Sequence, residues 1–165
     1  MATRIRESVA LPDSSILENL RTAPGHLMRR CQQIAVSVFL DECREYDLTP
    51  LQFAVLTALL QGGPEDQVHL GGRLALDRTT IGVVVKNLEE RGLVTRRVSE
   101  KDRRSKPVSI TGDGETLIYE AIAAAEAAQD RMLAPLTASE RKQFIRLLQK
   151  MADGNNSESR APLRR

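Results

Sequence analysis

The chain has 165 residues, 41 % of them hydrophobic and 28 % charged, with a formal net charge of +2. That length suits one compact domain, or a small domain carrying extra helices. No stretch approaches 18 uninterrupted apolar residues and no signal-like apolar region opens the chain, which argues against a membrane span or a secreted product.

Aromatic residues make up 3 % of the chain and there is no Trp, so Leu, Ile, Val and Ala must build the core. The small net charge hides a local imbalance. Residues 86–106 hold eight Lys or Arg against four acids, and residues 112–130 hold five acids and no base. A basic block before an acidic helix predicts a local electrostatic footprint. Cys31 and Cys43 are twelve residues apart, about 18 Å on one helix, which is too far to bridge. Two unpaired cysteines fit a reducing compartment, so a cytoplasmic protein is expected.

In chain order, residues 1–23 read as an arm. A long helix is predicted from Pro24 to Tyr46, because Leu27, Cys31, Ile34 and Val38 recur on one face. Thr49, Pro50 and Gln52 form a helix start with a capping box. That helix runs to about Gln61 and stops in the Gly62–Asp66 loop. A short extended piece is expected at Gln67–Leu70, then a short helix at Gly71–Leu76. Asp77 caps the next helix, Gly92 ends it, and Ile81, Val84, Val85 and Leu88 are its buried stripe. Two strands flanking a charged tip span Leu93–Ile110. An Ala-rich helix follows from about Asp113 to Met132. Thr137 and Glu140 open a last helix with the stripe Phe144, Leu147, Leu148 and Met151. Residues 153–165 have the composition of a disordered tail.

The expected fold is mainly α with a small β-hairpin wing: a winged helix-turn-helix with N- and C-terminal dimerisation helices. The parts are an arm (1–23), a dimerisation and ligand-pocket helix (24–47), a winged domain (48–112), dimerisation helices (113–152) and the tail.

In a helix-turn-helix the start of the second helix reaches base edges in the major groove. Here that region holds Arg78, Thr79, Thr80 and Gly82, with Lys86 further along. Arg suits guanine, a Thr methyl suits a thymine methyl, and Gly82 allows close backbone approach. The same residues also describe an ordinary capped helix. The tip between the strands holds Lys101, Asp102, Arg103, Arg104 and Lys106. Four bases around one acid on a narrow projection suit a minor groove, where Asp102 would orient an arginine. Together the two features point to double-stranded DNA.

Residues 74–114, "LALDRTTIGVVVKNLEERGLVTRRVSEKDRRSKPVSITGDG", resemble the MarR family of bacterial transcription regulators. The matching marks are "LDRTTIG", "LEERGLVTR", the "DRR" tip and "ITGDG"; "LTPLQFAVL" extends the match upstream. The resemblance implies an obligate, triangular homodimer on a near-palindromic operator, one winged helix per half-site. Thr79 and Thr80 fall where the family reads the major groove, and Arg104 where its wing enters the minor groove. One departure is Gly71–Gly72 inside a helix, each about 1 kcal/mol worse than Ala. Either that helix starts later than in relatives or it is locally soft.

His26, Arg30 and Gln33 share a face at i, i+4 and i+7, which suits a carboxylate. "PGHLMRRCQQ" resembles the first helix of family members that respond to small aromatic acids. The resemblance implies a pocket between the dimer helices and the winged domain, and DNA release on binding. His69 is a further pocket candidate, or a surface residue. Competing readings are redox sensing at Cys31 or Cys43, and a helical interaction module that never touches DNA. No catalytic motif, metal-ligand spacing or cofactor loop is present, so neither an enzyme nor a cofactor is expected.

Overall fold

The computed structural model describes residues 20–96 and 107–164. The chain divides into two units, residues 1–34 and 35–165. Six α-helices lie among the described residues: α1 (Pro24–Glu42), α2 (Pro50–Gly62), α3 (Gln67–Arg73), α4 (Arg78–Glu90), α5 (Gly112–Leu133) and α6 (Ala138–Gly154). Strands β1 (Val94–Arg96) and β2 (Val108–Ile110) pair antiparallel, with Thr95 opposite Ser109.

Helix starts follow local chemistry. The Gln52 amide donates to Thr49 Oγ1 at 3.2 Å and the Thr49 amide to Gln52 Oε1 at 2.9 Å, closing a capping box on α2. Thr137 and Glu140 do the same for α6. At the end of α4, Leu93 N–H reaches Leu88 O and Gly92 N–H reaches Glu89 O. Gly92 has φ +73°, the left-handed residue that this C-terminal motif requires.

Four expectations need correction. Gln67–Leu70 is helical: Asp66 Oδ1 accepts from the amides of Val68 and His69 and starts α3 there. The extended residue is Glu65, which exchanges two backbone hydrogen bonds with Val108. The glycines therefore lie in the last turn of α3. A Cβ on Gly71 would meet Ile81 Cγ2 at 3.1 Å, so this glycine lets α3 and α4 approach. Ala75, at φ +52°, turns the chain between them. The first long helix stops at Glu42, and a 3₁₀ turn at Arg44–Tyr46 follows, ended by Asp47 at φ +49°. Residues 155–164 make defined contacts in place of the expected disorder, because Asn156 bonds both backbone groups of Leu163.

The main core joins α2, α3, α4, the strands and α5 through Leu56, Leu59, Leu70, Ile81, Val85, Leu88, Val108 and Ile118. A second cluster packs Phe39 and Cys43 against Ala125 and Ala128. Ala121, Ala125 and Ala128 of α5 thus pack in the chain's own core, while Ala123 and Ala127 are exposed. On α6 no residue is buried, and Ile145, Leu147, Leu148 and Met151 are 40–48 % exposed.

Candidate nucleic-acid interface

Helix α4 buries Ile81, Val84, Val85 and Leu88, which turns the opposite face outward. Arg78, Thr79, Val83, Lys86 and Asn87 are exposed there, and Thr80 and Gly82 are half-buried. Val83 is 54 % exposed and sits four residues after Thr79. Sequence reasoning missed it, although its place outside the buried stripe marked it. An apolar side chain between Thr79 and Lys86 offers a contact for a thymine methyl. Asn87, also missed, adds a donor and an acceptor.

Asp77 organises the start of α4. Its Oδ1 accepts from the amides of Thr79 and Thr80 at 2.9 Å each, and its Oδ2 from the Thr80 hydroxyl at 2.8 Å. Thr80 thus spends its hydroxyl on the cap, whereas Thr79 has its side chain outward. These bonds, led by the Thr80 amide, hold the Asp77 carboxyl below the ordinary 3.8. A depressed carboxyl stabilises the fold above its unfolded value, and that contribution disappears as pH falls through the folded one. Asp77→Ala should therefore lower the melting temperature at pH 7. In parallel thermal melts, the gap to wild type should narrow once pH drops below about 3.8. A gap that stays constant to pH 3 would contradict this role of the carboxylate.

Val94 and Ile110 begin and end the wing ladder. Arg96 on β1 lies 3.7 Å from Glu89 of α4. Lys101, Asp102, Arg103, Arg104 and Lys106 lie outside the described residues. The exit from the wing explains "ITGDG". Thr111 accepts from the Gly114 amide at 3.1 Å, capping α5, and its hydroxyl donates to Gly92 O at 2.7 Å. The ends of α4 and β2 and the start of α5 thus meet at one threonine.

The proposed ligand residues fall in both units, three in residues 1–34 and His69 in residues 35–165. His26, Arg30 and Gln33 lie on α1, with His26 half-buried and the other two exposed. Gln33 Oε1 accepts from Arg29 Nη1 at 2.7 Å, which brings Arg29 into this face. His69 is on α3, where its Nδ1 pairs with Glu65 Oε1; Arg73 holds the other oxygen of Glu65 at 2.8 Å. Within residues 35–165, a cavity of about 330 Å³ is lined by Phe39, Pro50, Phe53, Ile122, Ala125, Glu126 and Gln129. Phe39 and Phe53 meet edge to face with centroids 5.6 Å apart.

Cys31 is exposed rather than packed on an apolar stripe, and Cys43 is buried. Burial pushes the Cys43 thiol up, which makes it a poor nucleophile. Among the described residues no group of three His, Cys, Asp or Glu is placed to hold a metal ion. No described helix is long and apolar enough to cross a membrane.

Two helices joined by a tight turn, an outward polar face on the second and a two-stranded wing define a winged helix-turn-helix DNA-binding protein. The MarR family model matches residues 46–105. Over 150 residues the chain is 32 % identical to the HTH-type transcriptional repressor NicR of Pseudomonas putida, covering 88 % of this chain and 95 % of that protein. The chain belongs to the MarR family of transcription regulators. Its fold matches Bordetella bronchiseptica BpsR, whose DNA binding is regulated by 6-hydroxynicotinic acid. That match has a TM-score of 0.75 and 33 % identity, over 80 % of this chain and 94 % of that one. The repressor CouR bound to a 23-mer DNA duplex matches with a TM-score of 0.74 and 27 % identity, over 84 % and 96 % of the two chains.

Proposed function

We propose that the protein is a homodimeric repressor that binds a near-palindromic operator and leaves it when a small aromatic carboxylic acid binds. The observation that carries the DNA reading is the outward face of α4, where Arg78, Thr79, Val83 and Lys86 stand opposite a fully buried stripe. Arg78 and Thr79 read base edges, Gly82 admits the DNA backbone, and Lys86 meets a phosphate. The basic residues 101–106 enter the minor groove, with Arg104 as the inserted side chain and Asp102 as its orienting partner. Dimerisation is supported by the exposed apolar side chains of α6 and by Leu40 on α1, 44 % exposed.

The effector reading draws on BpsR and on the Arg30 face of α1. Arg30 supplies a fork to a carboxylate, and His26 and Gln33 supply neighbouring hydrogen bonds. The ligand class is a hydroxylated benzoate, cinnamate or nicotinate. Such a DNA-bound regulator works in the bacterial cytoplasm.

The test begins with a duplex selected by the protein from a random pool. Fluorescence anisotropy should give specific binding in the range of about 10⁻⁸ to 10⁻¹¹ M, weakening steeply with salt. Thr79→Ala and Arg78→Ala should each weaken it by about 5–150-fold, the 1–3 kcal/mol of a base contact. Adding 6-hydroxynicotinic acid or another acid of a hydroxylated aromatic panel should raise the Kd at least about tenfold. Arg30→Ala should keep DNA affinity and lose that response. A protein that selects no duplex at low salt refutes the DNA reading; selection without any acid response refutes the effector reading alone.

A further inference from the structure

Beyond α6 the chain returns to the helix-turn-helix. Asn156 opens a 3₁₀ turn, Asn156–Glu158, and its side chain then grips Leu163. Asn156 Nδ2 donates to Leu163 O at 3.0 Å, and Leu163 N donates to Asn156 Oδ1 at 2.7 Å. Inside this loop the Ala161 amide donates to Ser159 Oγ at 3.1 Å. The loop is therefore closed by its own hydrogen bonds, and Pro162 restricts it further.

The closed loop is seated on α3. The Arg164 amide donates to Gly72 O at 2.9 Å, and the aliphatic stem of Arg164 packs over Gly72, its Cδ 3.0 Å from where a Cβ would stand. This close approach accounts for the second glycine of the pair, which steric demand within α3 does not. A cleft of about 180 Å³ separates the loop from the start of α4, with Asp77 and Arg78 on one side and Arg160 and Arg164 on the other.

Arg78, Arg160 and Arg164 are exposed, and none forms an ion pair with a described carboxylate. From residue 155 to 165 the sequence holds three arginines and one acid, Glu158. Three cations thus border one cleft beside the first turn of the helix that meets DNA. Asp77, the carboxylate in the same cleft, is engaged by Thr79 and Thr80 and pairs with none of the three. Unpaired arginines that outnumber it suit an external anion, and the anion that approaches α4 is the phosphate backbone.

We infer that the loop formed by residues 156–164 is a second DNA-contacting element, in which Arg160 and Arg164 hold phosphates beside the half-site read by α4. Its part is to position the recognition helix and add affinity, without reading bases. The inference rests on the DNA-binding reading above.

The test uses the full chain and the selected duplex, with anisotropy between about 50 and 300 mM salt. Arg160→Ala with Arg164→Ala should weaken binding at least about tenfold at the low-salt end, equally for cognate and random duplexes. The slope of log K against log salt should shrink by about one for each phosphate that is no longer neutralised. Arg160→Lys with Arg164→Lys should restore most of the slope, because Lys keeps the charge. Asn156→Ala keeps both arginines but frees the loop, and should weaken binding about three- to fivefold. Thermal melts of all variants check that the fold persists. If Arg78→Ala weakens binding while the double alanine variant keeps wild-type affinity and slope, the loop assignment is overturned and the DNA reading stands. Tighter binding by the double variant would also overturn it, by making the loop a shield. A wild-type chain that selects no duplex removes both.

Discussion

Gly114→Ala is expected to lower the melting temperature by about 5–10 °C, whereas Gly112→Ala, two residues earlier, should leave it nearly unchanged. A Cβ at residue 114 would stand 2.2 Å from the Leu93 carbonyl oxygen and 2.9 Å from Ile110 Cγ1. The oxygen is backbone and is already engaged by the Thr111 amide at 3.0 Å, so it has no rotamer by which to withdraw. The first turn of α5 must move away from the wing instead. Overpacking of this kind costs about 1–3 kcal/mol or more, and a chain of this size loses about 2–4 °C per kcal/mol. Nothing lies within 4 Å of a Cβ built on Gly112. Thermal melts of the two variants decide the matter: equal shifts would show that the motif needs glycine for flexibility and not for space. Because Thr111 joins the wing exit to the end of α4, Gly114→Ala should also weaken DNA binding below the melting range.

Charging the outer face of α6 should have the largest effect on assembly. Leu147→Glu with Leu148→Glu is expected to yield monomers in sedimentation, with DNA affinity reduced by about 10²–10⁴-fold as two linked half-sites become one. The two leucines are 48 % and 40 % exposed within one chain, and α6 buries no residue there. Charge at these positions therefore takes little from the single chain's own core, and helical circular dichroism should persist. Between two chains it would strand carboxylates in an apolar contact. A variant that still sediments as a dimer would move the interface elsewhere. A wild-type monomer at micromolar concentration would refute the dimer.

The arginine-rich tip and residues 1–19 of the arm lie outside the described residues; among the described ones, α4 and its surroundings carry the recognition chemistry. There the agreement between chemistry and position is specific. Asp77 was legible as a cap because its partners, Thr79 and Thr80, are two and three residues away. The capping boxes at Thr49 and Thr137 were legible for the same reason, as was Gly92. Val83 was overlooked among neighbouring valines, although its angular place on the helix separates it from Val84 and Val85.

Other features needed the folded chain. Gly71 and Gly72 looked alike, yet one admits Ile81, close by in the chain, and the other Arg164, near its far end. Which alanines of α5 are covered within the chain was not legible, because burial of Ala121, Ala125 and Ala128 depends on Phe39, Cys43 and the helices packed beside them. Glu65 gave no strand signal, because its pairing with Val108 depends on a partner 43 residues on. The tail looked disordered by composition, since its two anchors are a glycine carbonyl in α3 and its own asparagine.

What the amino-acid sequence determined by itself was helix type, caps, turns and the family to which those marks belong. Each arises from interactions within about one helical turn, where residue type and spacing are the whole of the physics. Only the tertiary structure decided which faces are covered, why Gly71, Gly72 and Gly114 are glycines, and which cations gather beside α4. Those depend on approaches between segments far apart in the chain, set by packing that no local pattern encodes.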